Sequence, residues 1–119
     1  MKRSGILNPA IAHLLASTGH TDYFTIYDQG FPMPMEPERI DVAVVTGLPT
    51  VIDLLNAIHA EFIIDRVVIA EEALAFSPNY VESLGALLGE VPVVTASHVE
   101  LKELSHEGRA TIRTGDATS

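Results

Sequence analysis

Hydrophobic positions along the chain follow two alternating patterns, one helical and one extended. Four segments carry apolar residues three or four positions apart, directly after residues that favour a helix start. These helices are predicted to start at Asn8-Pro9, Thr50, Ser77-Pro78 and Ser97. In the last of them, Glu100 follows Ser97 by three positions, which is the spacing of a capping box. Gly19 is placed to end the first helix.

Short runs rich in β-branched and aromatic residues lie between these helices and predict strands. They cover residues 23–27, 41–46, 62–64 with 67–70, 91–95 and 110–113. Because helices and almost continuously apolar strands alternate, the pattern predicts an α/β fold with a mostly parallel sheet flanked by helices. The 119 residues fit a single domain, and the proline-rich segment 31–37 is predicted to be an irregular loop within it.

Composition excludes several classes of protein. The chain has no cysteine, so it can form neither disulfides nor thiolate–metal sites. Sixteen acidic and seven basic residues give a net charge of −9, which argues against binding nucleic acid or anionic lipid. No apolar run is long enough to span a membrane, and the first residues do not form a signal peptide. We therefore expect a cytoplasmic protein with no nucleic-acid or membrane partner.

Four polar residues are candidates for chemistry because they fall in loops or at a helix start, where α/β proteins keep their sites. His20 follows the first helix, Asp28 follows the first strand, and His98 opens the fourth helix with Lys102 one turn later. Three of them also have a purely structural interpretation. His20 would lie in a solvated turn, Asp28 would close an Asx turn, and Lys102 would lie on an exposed helix face.

Other kinds of site lack their sequence patterns. The five histidines show no H-E-x-x-H or H-x-H spacing, so we expect no metal. Glycine-rich phosphate loops and the G-x-S-x-G motif of serine hydrolases are also missing. The residues alone therefore predict a small acidic α/β domain with two histidines and one aspartate in candidate loops, and they do not identify a substrate.

Six short motifs occur in an order and at spacings that resemble the D-ribose pyranase family, the sugar mutarotases that include L-fucose mutarotase. The motifs are GILN at 5–8, GHTD at 19–22, DQGFPMP at 28–34, GLP at 47–49, SH at 97–98 with Lys102, and IRTG at 112–115. GHTD and QGFPMP look more like the ribose branch than the fucose branch. Gln29 and Phe31 stand where that branch more often has Ala and Leu.

The resemblance implies an isomerase that converts the β-pyranose form of D-ribose into the furanose form without a cofactor or a metal. It implies His20 as the catalytic proton donor and Asp28 and His98 as sugar-binding residues, with Lys102 near the site. It also implies a homo-oligomer, typically a decamer of two stacked pentameric rings, with each site between neighbouring subunits. The alternatives are a mutarotase for L-fucose or another monosaccharide, and a non-catalytic sugar-binding partner of a transport system.

The end of the sequence departs from the family pattern. The resemblance implies a Tyr-Ala-Asn motif after the IRTG segment, whose tyrosine and asparagine contact the sugar, followed by a last apolar strand. The sequence stops at Ser119, where that motif would begin. We therefore expect residues 1–119 to form a sugar-isomerase domain that lacks its C-terminal segment, and intact mass spectrometry of the natural product checks this.

Overall fold

Helices and strands alternate through a computed structural model that describes residues 1–31 and 37–117, with the backbone only at 74–76. The helices are α1 (Pro9–Ser17), α2 (Val51–His59), α3 (Glu71–Phe76), α4 (Pro78–Leu88) and α5 (His98–Glu107). The strands are β1 (Thr25–Tyr27), β2 (Glu38–Asp41), β3 (Val67–Ala70), β4 (Val93–Ala96) and β5 (Ala110–Arg113). Most of the predicted irregular loop at 31–37 falls on residues 32–36, which lie outside the described residues.

The described strands pair in parallel and form two sheets. One sheet has the order β1-β5-β2, and the other pairs β3 with β4. The central strand, β5, is the most deeply buried, because Ala110, Thr111 and Ile112 are each 0% exposed. The predicted parallel α/β architecture is confirmed, with two small sheets in place of one continuous sheet.

Capping side chains start three of the four predicted helices. Ser77 precedes α4 as predicted, but its side chain makes no capping hydrogen bond. The Asn8 side chain accepts a hydrogen bond from the Ile11 N–H at 3.0 Å, and Pro9 occupies the first position of α1. Thr50 and Ser97 each form a capping box, at α2 and α5. Helix α1 ends one residue earlier than predicted, with Thr18 as its C-cap.

The predicted strand at 41–46 is wrong. The strand in this region is β2, which starts three residues earlier and in which only Ile40 is buried. Val44 and Val45 are 70% and 61% exposed, because the chain turns back through hydrogen bonds between residues 44, 45 and 48. An apolar run was therefore mistaken for a buried strand.

Other element boundaries also differ from the prediction. Residues 23–24 and 62–64 lie outside strands. Phe24, Phe62 and Ile64 still pack against the core, whereas Ile63 is 86% exposed. Helix α3 follows β3 without a break and was not predicted, because it has no capping side chain and only six residues.

One helix joins the two parts of the hydrophobic interior. Leu54 and Ile58 of α2 pack with β2, β5 and α1, whereas Leu55 packs with Leu84 and Leu88 of α4. Ile26 and other partly buried residues contact both clusters. The two sheets are therefore joined through α2 and through side chains that pack against both clusters.

Candidate active site

The candidate site lies where β1, β5 and β4 end. Asp28 follows β1, residues 114–116 follow β5, and His98 follows β4. The first two ends are tied together, because the Thr114 hydroxyl donates to the Tyr27 carbonyl at 2.6 Å and the Gln29 N–H donates to the Asp116 carbonyl at 2.8 Å. The carboxyl ends of parallel strands are the usual place for ligands in open α/β folds.

Asp28 is half-buried and closes the Asx turn that the sequence allowed. Its Oδ1 accepts hydrogen bonds from the backbone N–H groups of Gly30, at 3.2 Å, and Phe31, at 3.0 Å. A carboxylate has about four acceptor positions, so the turn leaves capacity for further donors such as sugar hydroxyls. The structural and the functional interpretations of Asp28 are therefore compatible.

Phe31 links the Asp28 turn to His98. Its ring stacks on the Tyr27 ring, with the two ring centroids 4.2 Å apart. The centroids of the Phe31 and His98 rings are 5.7 Å apart, and the two rings are tilted by 57°. The structure therefore brings together two of the predicted sugar-binding residues through an aromatic side chain. In the sequence, Phe31 stands out only as a departure from the family pattern.

His98 and Lys102 lie on the first two turns of α5, and both are exposed. The His98 N–H donates to Glu72 Oε1 at 3.4 Å, so the helix start is fixed by a contact with α3. Lys102 borders a shallow groove of about 250 Å³ that Val99, Glu103 and His106 also line. His98 and Lys102 therefore lie about one helical turn apart on α5, but His98 does not line the groove that Lys102 borders.

Arg113 and Tyr80 belong to the same region and were not predicted as site residues. The Arg113 guanidinium donates to the Gln29 carbonyl at 3.2 Å and to Asp41 Oδ2 at 2.9 Å, which joins the ends of all three strands of the larger sheet. Tyr80 lies within electrostatic reach of Asp28. Burial, together with the negative charges of Asp116 and Asp28, raises the pKa of the Tyr80 hydroxyl to about 12.

No sequence signal placed Tyr80 in the site, because its approach to Asp28 depends on how α4 packs. Arg113 had a signal in the IRTG segment, since a cation that is the last residue of a buried strand lies at the edge where the other strands end.

His20 lies at the other end of the strands. His20 comes before β1 in the chain and Asp28 comes directly after it. The length of β1, about 10 Å, therefore lies between them. The His20 side chain is 87% exposed, and its Nδ1 lies 3.0 Å from Oδ2 of Asp65, which precedes β3. A single subunit therefore does not bring His20 to Asp28, His98 or Lys102.

Within residues 1–31 and 37–117, no group of three or more His, Asp or Glu side chains is placed to hold a metal ion. No helix among these residues is long and apolar enough to cross a membrane.

Comparison with known proteins identifies the family. The model of the RbsD / FucU transport protein family matches residues 1–119. The D-ribose pyranase of Geobacillus thermodenitrificans is 43% identical over 118 residues, which cover 99% of this chain and 89% of that protein. The D-ribose pyranase of Geobacillus kaustophilus is 44% identical over 118 residues, with 99% and 87% coverage.

A solved structure gives the same assignment. The structure of Bacillus subtilis RbsD complexed with D-ribose matches with a TM-score of 0.92 and 36% identity, covering 98% of this chain and 89% of that one. The fold, the order of the sequence motifs and the full-length relatives agree. This chain belongs to the RbsD / FucU transport protein family.

Proposed function

We propose that this protein is a D-ribose pyranase, an isomerase that interconverts the β-pyranose and β-furanose forms of D-ribose. The observation that carries the proposal is the Asp28–Phe31–His98 contact at the strand ends, in a fold that matches a ribose-bound relative with a TM-score of 0.92. The curated relatives with about 40% identity carry the same activity in their names.

The reaction requires proton transfers but no net gain or loss of atoms. In ring opening, the C1 hydroxyl loses its proton, the bond between C1 and the ring oxygen breaks, and that oxygen gains a proton. The open-chain aldehyde then closes when the C4 hydroxyl attacks C1, losing a proton as the carbonyl oxygen gains one. An imidazole is suited to both steps, since its ordinary pKa of about 6.5 lies close to neutral pH.

Each candidate residue has one role in this proposal. His20 exchanges protons with the sugar, the Asp28 carboxylate accepts hydrogen bonds from sugar hydroxyls, and His98 orients the ring. Lys102, one turn from His98, supplies a positive charge beside the site. Acid–base help of this kind is worth about 10²–10⁴ in rate, which suits a reaction that already proceeds slowly in water.

A complete site requires two subunits in this proposal. Because His20 and Asp28 lie at opposite ends of β1, the His20 of one subunit serves the Asp28 and His98 of its neighbour. A ring of identical subunits provides this arrangement through repeated head-to-tail contacts. We propose a homodecamer of two stacked pentamers in the cytoplasm.

Exchange between ribose forms, followed by saturation-transfer NMR, tests the proposal directly. The protein is expected to accelerate exchange of D-ribose, and His20→Ala is expected to reduce the acceleration by about 10²-fold or more. The matched control is His13→Ala, because His13 is an exposed histidine of α1 outside the site. A His20→Ala protein as fast as the wild type would contradict the assignment of the catalytic residue.

Two observations favour alternative functions, and the same experiment tests both. Phe31 packs against His98 inside the candidate site, which favours a mutarotase with a different sugar preference. The family description names transport proteins, which favours a non-catalytic sugar-binding partner. Exchange only with L-fucose or another sugar supports the first alternative, and binding of ribose without faster exchange supports the second.

A further inference from the structure

Asp65 is the acidic residue that His20 contacts. The distance between His20 Nδ1 and Asp65 Oδ2 is 3.0 Å, which is within hydrogen-bonding range. Asp22, the nearest carboxylate along the chain, is used elsewhere. Its Oδ2 accepts from the Gly19 N–H at 2.8 Å and lies 3.5 Å from the Arg109 guanidinium. The contact with Asp65 is therefore specific to one of two nearby carboxylates.

The contact joins two segments that are far apart in sequence and fixed at the same end of the fold. His20 lies between α1 and β1, and Asp65 lies two residues before the start of β3. Both side chains are largely exposed, at 87% and 56%, and exposed pairs of this kind add little to folding stability. The His20–Asp65 contact is therefore better suited to orient the imidazole than to stabilise the fold.

We propose that Asp65 is a positioning residue for His20, an inference that rests on the proposed function. A neutral imidazole with a carboxylate at Nδ1 keeps its proton on that nitrogen, so Nε2 is left unprotonated and faces away from Asp65. In this form Nε2 accepts a proton from the C1 hydroxyl. The imidazolium that results is stabilised by the Asp65 charge until Nε2 gives the proton to the ring oxygen.

This role predicts a separation of kinetic effects. Asp65→Ala is expected to lower kcat for ribose exchange about tenfold or more, as part of the about 10²–10⁴-fold that acid–base catalysis supplies. The KM should stay close to the wild-type value, because Asp28 and His98 bind the sugar. Asp65→Glu should restore most of kcat. In the His20→Ala background, Asp65→Ala should have no further effect, since a residue acting through His20 cannot act without it.

A second readout does not depend on activity. Nitrogen-15 NMR of the histidine-labelled protein, which has only five histidines, reports which ring nitrogen of His20 is protonated. The wild type should show the Nδ1–H form, and Asp65→Ala should shift His20 toward the Nε2–H form that free histidine favours. The matched control is Glu61→Gln, which changes a carboxylate at the same end of the fold that accepts from the Ile6 N–H.

The outcomes separate this inference from the proposed function. An active wild type with an Asp65→Ala variant of equal kcat and unchanged His20 tautomer overturns the positioning role. An Asp65→Ala variant that raises KM as much as it lowers kcat also overturns it. If the wild type does not accelerate ribose exchange, the proposed function fails, and the tautomer measurement still decides whether Asp65 orients His20.

Discussion

At the scale of single residues, Tyr80 shows how the fold alters ordinary chemistry. Its hydroxyl has a pKa of about 12 in the folded chain, against 10.0 for a free tyrosine, because of burial and the charges of Asp116 and Asp28. Because the pKa of the Tyr80 hydroxyl is higher in the folded chain than in the unfolded chain, its contribution to stability is fully present below pH 10. That contribution is lost as the pH rises from 10 to about 12, where the unfolded chain has already released its proton.

Tyr80→Phe is therefore expected to flatten the alkaline part of the stability curve. Between pH 10 and pH 12 the wild type should lose about 1–2 kcal/mol more than the variant, after allowance for the solvent that reaches the ring. Urea unfolding across this pH range measures the difference. In a pH titration followed by the near-ultraviolet absorbance of tyrosinate, the variant should lack the step at the highest pH.

Tyr23→Phe serves as the control for this measurement. Burial and the nearby Glu107 raise the pKa of Tyr23 too, but this residue is 38% exposed, and its hydroxyl lies beside α5. The last titration step should remain in this variant. Identical alkaline slopes for the wild type and Tyr80→Phe would show that Tyr80 does not carry the effect.

Residue types in the candidate site were easier to predict than their contacts. Asp28 and His98 stood out because their positions after strands are readable from the sequence. The contact that joins them depends on Phe31, whose position against the imidazole follows from tertiary packing. Tyr80 and Asp65 carry no local signal for the same reason.

At the scale of elements, two glycines have opposite structural requirements. A Cβ on Gly115 would meet the carbonyl oxygen of Leu48 at 2.6 Å and that of Val45 still closer, and both are backbone atoms. The segment is also held in place, since the Gly115 N–H donates to the Pro49 carbonyl at 2.9 Å. A Cβ on Gly85, inside α4, would meet nothing within 4 Å.

Gly115→Ala is expected to destabilise the protein by about 1–3 kcal/mol, because the loop after β5 must move away from residues 45–48. Gly85→Ala is expected to stabilise it by about 0.5–1 kcal/mol, since alanine restricts the unfolded chain and fits the helix. Urea unfolding of the two variants measures both signs. Equal effects would show that the close approach at Gly115 is not a packing constraint.

The same scale shows where sequence patterns succeed and fail. Helix starts were predictable because a cap is a local interaction, as at Ser97 with Glu100. The strand at β2 was misplaced because it pairs with β5 through a mostly polar segment, while the apolar Val44 and Val45 lie in the turn that follows. Pairing partners, rather than local hydrophobicity, determine that boundary.

At the scale of the whole molecule, the separation of His20 from Asp28 is the main consequence of the topology. Parallel strands place everything that precedes them at one end and everything that follows them at the other. His20 and Asp65 lie at the first end, and Asp28 and His98 lie at the second. The resemblance already implied sites between subunits, and the topology supplies a physical reason for that arrangement.

Mixed oligomers test this arrangement. His20→Ala and Asp28→Ala are each expected to be inactive alone, and co-expression of the two should restore roughly a quarter of the wild-type exchange rate. That fraction follows because a head-to-tail contact is complete only when the subunit giving His20 is the Asp28→Ala variant and the subunit giving Asp28 is the His20→Ala variant. Saturation-transfer NMR of purified hybrids, with each variant carrying a different tag, measures the recovery.

A second mixture provides the control that makes the first interpretable. Asp28 and His98 come from the same end of the same subunit, so every contact in a mixture of Asp28→Ala with His98→Ala lacks one of them. This mixture should stay inactive although it assembles equally well. Recovery in the control, or none in the His20→Ala mixture, would contradict a site shared between the two ends. Because both mixtures contain one substitution per subunit, a difference between them reports which end of the molecule supplies each residue.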